Sequence, residues 1–473
     1  MFFKRFYDDA LAQASYMIGC QRTGEALVVD PNRDVDQYMA AAGAEQLRIT
    51  RVTETHIHAD FVSGARELAA RTGAQLLLSS EGGTDWQYAY AHDAQARLVR
   101  DGDSFTIGNI RVDVMHTPGH TPEHISFVVA DNPASPAPWG ILTGDFVFVG
   151  DVGRPDLLER AAGYQNTMES GARALFRSLA RFRALPDHMQ VWPGHGAGSA
   201  CGKALGAIPS STVGYEKLGN WALATMSEDD FVRSVLEGQP EPPAYFAQMK
   251  RINKAGPAII GGATGDRPRP ARVAPASFKN ALSRGEIVID TRAAATFAEG
   301  FLLGTLNIPF DRSFATWAGW LVPYDRDVWL IAADDDRANH AAHALAMIGL
   351  DRIAGFVGPE VFEGRELSRV QQADARDVAA LLERGAVEVI DVRGRAEYDA
   401  GHLPGVVNIP VGLLAERIGE LPIERPIVVQ CQAGARSSIA ASVLLARGVH
   451  RVINLVGGIA AWQRAGLPVT EAA

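Results

Sequence analysis

"RITRVTETHIHADF", Arg48 to Phe61, carries an apolar run into a loop with two histidines and an aspartate inside five positions, His56, His58 and Asp60. The β-branched residues before it read as a strand, and "VSGARELAARTG" from Val62 reads as the amphipathic helix that follows. Loops at strand ends are where side chains distant in sequence converge. Imidazole and carboxylate together at such a point are metal donors. The cluster closes on Phe61, an apolar ring rather than another donor.

Three further groups share this pattern of an apolar run entering a Gly-rich turn: "HTPGHTPEHISF" (His116 to Phe127), "LTGDFVFVGDVGRPD" (Leu142 to Asp156) and "VWPGHGAGSACGK" (Val191 to Lys203). A lone histidine is more often a packing residue than a ligand. Four such groups in order make a metal centre the better reading. Eight of the twelve histidines precede residue 253.

The 473 residues suffice for about three domains. Hydrophobic residues at 47% and charged residues at 21% are those of a globular protein, and a net charge of -10 argues against nucleic acid as a partner. No apolar run reaches membrane-spanning length, and the first twenty residues lack a signal-peptide core, so no membrane association is expected. Three dispersed cysteines, Cys20, Cys201 and Cys431, do not make a disulfide framework, and a reducing cytoplasm is the expected location. A homo-oligomer is left open.

The Gly/Pro-rich stretch from Asn253 to Arg272 reads as a linker after a first domain of residues 1–252. Beyond it the chain repeats itself: "IVIDTRAAATFAEGFLLGTLNIP" from Ile287 matches "VEVIDVRGRAEYDAGHLPGVVNIP" from Val387. Asp290 aligns with Asp391, Arg292 with Arg393 and Gly300 with Gly401. The period is one small domain, giving modules at residues 273–370 and 371–473. Short β-branched runs alternate with helical stretches in both, which implies parallel α/β sheets.

In the last module, "IVVQCQAGARSSIAASVLL" sets Cys431 between a strand and a helix start, where the helix N-terminus favours thiolate. Backbone N–H groups along Gln432, Ala433, Gly434, Ala435 and Arg436 can cradle an anion, and the Arg436 guanidinium adds a fork suited to sulfite or thiosulfate. A nucleophilic thiolate under an anion cradle is what sulfur transfer requires. In the middle module Ala332 stands at the position of Cys431 and Arg337 at that of Arg436, with Asp334, Asp335 and Asp336 between. With no thiol and three carboxylates, that module is expected to be catalytically silent.

The first domain resembles the metallo-β-lactamase superfamily over most of residues 1 to 250, through the HxHxD loop, the PGHT histidine His120, the GD aspartate Asp145 and the late GH histidine His195. The last module resembles rhodanese domains through "DVRGRAEYDAGHLPGVVNIP", the Cys431 loop and the closing "NLVGGIAAW". The fold class implied is α/β: an αββα sandwich, then two rhodanese-like domains with parallel sheets. Related phosphatases place one more residue between cysteine and arginine, so the six-residue loop from Cys431 to Arg436 favours sulfur over phosphate.

In the two-metal hydrolases of the superfamily a histidine stands where this chain has Phe61, so its loss points to a single metal. Two histidines and a carboxylate with open positions form the triad of non-haem Fe(II) oxygenases. The persulfide dioxygenases of the superfamily use it, and the resemblance assigns His56, His120 and Asp145 to one Fe(II) per chain. It places His58, Asp60 and His195 around the site, orienting waters or ligands. Arg154 and Lys203 are candidates to bind the carboxylates or phosphates of a thiol carrier, and Cys201 to border the pocket. The implied function resembles the persulfide dioxygenase–sulfurtransferase fusions of sulfide detoxification. They take small thiol persulfides (of glutathione, coenzyme A or similar), O2, and sulfite or thiosulfate. The alternatives are a zinc thioester hydrolase of glyoxalase II type fused to a sulfurtransferase, and a sulfur-relay protein whose metal domain only recruits a partner.

Overall fold

The computed structural model describes residues 1–471 apart from Ala162, Tyr164, Ala204 and residues 261–268. It divides into two compact units: Met1–Pro268 with Met347–Gly349, and Arg269–Ala346 with Leu350–Ala473.

The first unit holds two six-stranded sheets. One runs in chain order, β1 (Phe2–Asp8), β2 (Gln13–Cys20), β3 (Glu25–Val29), β4 (Arg48–Thr53), β5 (Gln75–Ser79) and β6 (Arg97–Val99), antiparallel up to β3 and parallel after it. The other comprises β7 (Ser104–Ile107), β8 (Ile110–His116), β9 (Ile125–Asp131), β10 (Gly140–Gly144), β11 (Gln190–Pro193) and β12 (Ser211–Thr212), again with sequence neighbours adjacent. Successive side chains on a strand face opposite ways. Leu27 and Val29 therefore enter an inter-sheet core with Val112, Phe127, Leu142 and Trp192. Ala26 and Val28 pack outward with Tyr38, Ala41 and Leu68 of the helices Asp36–Ala44 and Ala65–Thr72. Ile141 and Val191 meet Leu175, Leu179 and Phe182 of the helix Met168–Arg183 on the opposite outer face. Helix, sheet, sheet, helix is the order expected from the sequence.

The second unit holds two parallel sheets. The middle module contributes β13 (Ile287–Asp290), β14 (Leu306–Asn307), β15 (Val328–Ile331) and β16 (Ile353–Val357), in the order β14-β13-β15-β16. The last contributes β17 (Gln371–Ala373), β18 (Glu388–Asp391), β19 (Val407–Asn408), β20 (Ile427–Gln430) and β21 (Val452–Leu455), in the order β17-β21-β20-β18-β19. Read from β19, the last sheet repeats the middle one and adds β17, which agrees with the internal repeat. The helix Ala435–Ala446 packs on β20, β21 and β14, and Ser442 Oγ accepts the backbone N–H of Asn307 at 3.0 Å.

The proposed linker starts too early. The helix Tyr245–Ala255 carries through its first three residues, with Asn253 buried, and residues 261–268 of the linker lie outside those described. Among the described residues no helix is long and apolar enough to cross a membrane.

Candidate metal centre and sulfurtransferase loop

The loops after β4, β8 and β10 bring His56, His120 and Asp145 together, one ligand atom of each lying within 4.8 Å of the others. Asp145 Oδ2 stands 3.6 Å from His120 Nε2 and 4.0 Å from His56 Nε2. All three residues are buried, and His56 Nε2 and both Asp145 carboxylate oxygens have no hydrogen-bond partner among the described residues. Buried polar atoms are normally paired, and a cation held between these atoms accounts for the exception.

The remaining hydrogen bonds orient the ring nitrogens. Thr55 Oγ1 donates to Asp30 Oδ2 at 2.9 Å, so it accepts from His56 Nδ1 at 3.0 Å. His120 Nδ1 donates to Arg154 O, and His195 Nδ1 to Ala12 O, each at 3.0 Å. His56 and His120 therefore turn an unprotonated Nε2 inward, as a metal ligand must, whereas the carboxylates of Asp145 and Asp60 raise His195 above its usual value against its burial. Burial, reinforced by neighbouring cations, holds His56 well below its usual range and His120 down at about 3. Burial also lifts Asp145 to about 6 against the pull of His195. Neutral imidazoles beside a carboxylate suit a divalent ion.

His58 belongs to a different set. Its Nε2 donates to Asp30 Oδ1 at 3.1 Å, and its ring lies 4.4 Å from the buried ring of Phe61. Burial opposes its cation, but the charge and hydrogen bond of Asp30 outweigh burial and raise it to about 9. His195 Nε2 lies 3.2 Å from Asp60 Oδ2 and 3.4 Å from Asp145 Oδ1. Asp60, His195 and Cys201 form a second group of buried donor atoms within 4.8 Å of one another. Burial and the carboxylates of Asp145 and Asp60 push the Cys201 thiol well above its usual value.

Arg154 requires correction as a substrate-binding candidate. Arg154 is fully buried, its fork on Asp156 at 2.7 and 2.6 Å and its other hydrogens on Ala200 O and Pro240 O. Lys203 Nζ donates to Ser234 O at 2.5 Å. Arg154 shapes the loops around the centre and offers no uncommitted cation, while Lys203 Nζ also lies over the Trp221 ring, 5.7 Å from its centroid.

Several residues the motifs did not reveal hold the ligand loop. Asp30 follows β3 and accepts from Thr55 N at 2.6 Å as well as from its hydroxyl. Glu123 accepts Ile57 N at 2.9 Å while Lys250 donates to Ile57 O at 3.2 Å. Asn253 Nδ2 donates to His58 O and Phe61 O at 2.9 and 2.7 Å, and its Oδ1 accepts Ser63 N at 2.9 Å. His124 Nε2 accepts the backbone N–H of Asp145 at 3.1 Å. Asn253→Ala strands two buried carbonyls and one N–H. It is expected to cost about 1–3 kcal/mol in urea unfolding and to weaken metal binding about tenfold in a chelator titration.

Cys431 directly follows β20 and is 1% exposed. Gly434, at φ +106, turns its N–H onto Sγ at 3.1 Å, and Ser437 Oγ lies 3.5 Å from the sulfur. Gly458 lets the closing segment come against the loop: a Cβ there would stand 2.0 Å from Cys431 O, which accepts Ile459 N at 2.8 Å. Both arms of the partly exposed Arg436 guanidinium bind Glu397, an ion pair that the sequence motifs do not reveal. In the middle module Arg337 lies over the Phe310 ring at 4.9 Å, Asp334 Oδ1 accepts its N–H at 2.8 Å, and Ala332 leaves no nucleophile. The Asp290–Arg292 pair at 2.6 Å matches Asp391–Arg393 at 2.7 Å, so the two modules share this pair.

Comparison with known proteins agrees with this geometry. The Metallo-beta-lactamase superfamily matches residues 8–195 and the Rhodanese-like domain residues 374–465. A crystal structure of a metallo-beta-lactamase from Staphylococcus aureus is 44% identical, covering 76% of this chain and 99% of that one with a TM-score of 0.70. A hydroxyacylglutathione hydrolase from Rhodospirillum rubrum is 31% identical over 38% of this chain and 60% of its own length. A sulfurtransferase from Allochromatium vinosum is 38% identical over 21% of this chain and 94% of its own length. The chain spans 60% of the length of several hydrolase relatives it matches.

Proposed function

Because the chain belongs to the metallo-beta-lactamase superfamily and ends in a rhodanese-like domain, we propose that it is an Fe(II)-dependent persulfide dioxygenase coupled to a sulfurtransferase and serves sulfide detoxification. The observation that carries this reading is the pocket of His56, His120 and Asp145, two inward Nε2 atoms and one carboxylate, with His58 withdrawn to Asp30 beside Phe61. A site of this donor set favours iron with open positions.

The substrate is a persulfide of a small thiol such as glutathione or coenzyme A. In the net reaction both atoms of O2 and one oxygen of water end on the outer sulfur. The S–S bond breaks, the thiol is regenerated, and sulfite and two protons leave. Bound iron supplies open coordination for sulfur and dioxygen. The protein's part is to keep His56 and His120 neutral by burial, to fix their Nδ1 hydrogens on Thr55 Oγ1 and Arg154 O so that Nε2 faces the pocket, and to keep Asp145 and His195 in contact for proton traffic beside it. In the last module Cys431 takes sulfane sulfur from a second persulfide, and sulfite accepts it as thiosulfate.

A zinc thioester hydrolase is the second reading, favoured by the Asp60, His195 and Cys201 group and by the hydroxyacylglutathione hydrolase relative. Metal analysis of anaerobically purified protein, with O2 consumption on adding glutathione persulfide, separates the two. Near-stoichiometric iron with persulfide-dependent O2 uptake is expected. Zinc, with no uptake after iron reconstitution, would falsify the dioxygenase reading.

A further inference from the structure

Glu397, on the short helix Arg395–Asp399, takes both arms of Arg436: Nη1 donates to Oε2 at 2.5 Å and Nη2 to Oε1 at 2.8 Å. Gly394 N also donates to Glu397 Oε2 at 3.3 Å, so the carboxylate is held from two sides. The fork of Arg436 keeps Glu397 below the usual carboxylate range. The other arginine at the loop, Arg393, is likewise committed: Nε and Nη2 bind Asp391, Nη2 also reaches Gly401 O, and Nη1 meets Gln432 Oε1 at 3.4 Å. Arg393 and Arg436 thus both arrive with a carboxylate attached. In the middle module, where no thiol remains, Thr296 stands at the position of Glu397.

We propose that Glu397 selects the sulfur donor of the Cys431 site, favouring thiol persulfides over the thiosulfate–sulfite pair. The inference rests on reading the last domain as a sulfurtransferase. With a persulfide R–S–SH, the Cys431 thiolate attacks the outer sulfur, the new S–S bond forms as the old one breaks, R–S⁻ departs, and the proton stays on the transferred sulfur. With thiosulfate the same attack expels sulfite and brings a dianion against a thiolate. That approach needs an uncompensated cation, and Arg436 is already compensated by Glu397. Glu397 acts on rates and leaves the equilibrium alone, so it slows sulfite attack on the Cys431 persulfide by the same factor.

The test is Glu397→Gln in the full chain, with kcat/KM measured anaerobically for thiosulfate with cyanide as acceptor and for glutathione persulfide. Glu397 is partly exposed, so glutamine keeps its size without burying a new group. The thiosulfate value is expected to rise about tenfold and the persulfide value to stay within about twofold, the rise shrinking at high salt. A parallel fall for both donors would overturn the proposal, because the pair would then only hold the loop in shape. So would an unchanged thiosulfate value that drops in Arg464→Gln, whose guanidinium comes within 3.6 Å of a Cβ built on Gly457. If neither wild type nor variant transfers sulfur from either donor while Cys431 still alkylates, the sulfurtransferase reading itself fails.

Discussion

Asp145→Ala is expected to leave a folded protein that retains less than about a hundredth of the wild-type metal affinity and shows no persulfide-dependent O2 uptake. Asp145 contributes the single carboxylate of the His56–His120–Asp145 group, and the two imidazoles left behind are neutral. Losing that charge removes most of the electrostatic attraction for a divalent cation in a site where burial strengthens each interaction. Metal content after gel filtration is the direct readout, with oxygen electrode traces as the functional one. Burial holds Asp145 at about 6, so removing its charge relieves a desolvation cost, and unfolding midpoints are expected to fall little in the metal-free protein. Full O2 uptake in the variant would show that Asp145 is not a ligand. Unchanged iron with lost uptake would move its role to proton handling with His195. Loss of O2 uptake in the variant also argues against a metal domain that only recruits a partner.

The candidate donors are legible in the sequence because metal ligation demands particular side chains at strand ends, and His56, His120 and Asp145 all follow apolar runs. What holds them was not legible. Lys250 and Asn253 lie in "YFAQMKRINKA" (Tyr245–Ala255), which reads as an ordinary amphipathic helix, yet they bind the carbonyls of Ile57, His58 and Phe61. Nothing in local spacing records a side chain meeting a backbone roughly two hundred residues away. Asp30 offered a weak signal, a carboxylate directly after the buried run "EALVV". Arg154 misled for the opposite reason: a surface arginine and a fully buried one look alike in sequence, and only its bidentate contact with Asp156 distinguishes them. The repeat in the second half showed both parallel sheets, since the strand residues recur in register. The Glu397–Arg436 pair stayed hidden because the two positions lie on different elements.

Cys431→Ser is expected to lower sulfur transfer from any donor by at least about a thousandfold while O2 uptake stays within about twofold of wild type. The substitution keeps the shape of the loop. Serine can still accept from Gly434 N, which donates to Sγ at 3.1 Å, and Ser437 remains within reach. What is lost is a nucleophile that ionises near neutral pH and carries sulfane sulfur, for which a hydroxyl has no equivalent. The metal donors and Cys431 belong to different compact units, so the two activities should separate in kinetics as they do in the fold. In the variant, glutathione persulfide should therefore be consumed with O2 and released as sulfite, whereas wild type converts part of that sulfite to thiosulfate. Product analysis by chromatography of bimane-trapped sulfur anions reads this directly. Loss of O2 uptake together with thiosulfate would mean that the Cys431 persulfide feeds the oxidation rather than drawing on its product, and the order of the two steps would have to be reversed.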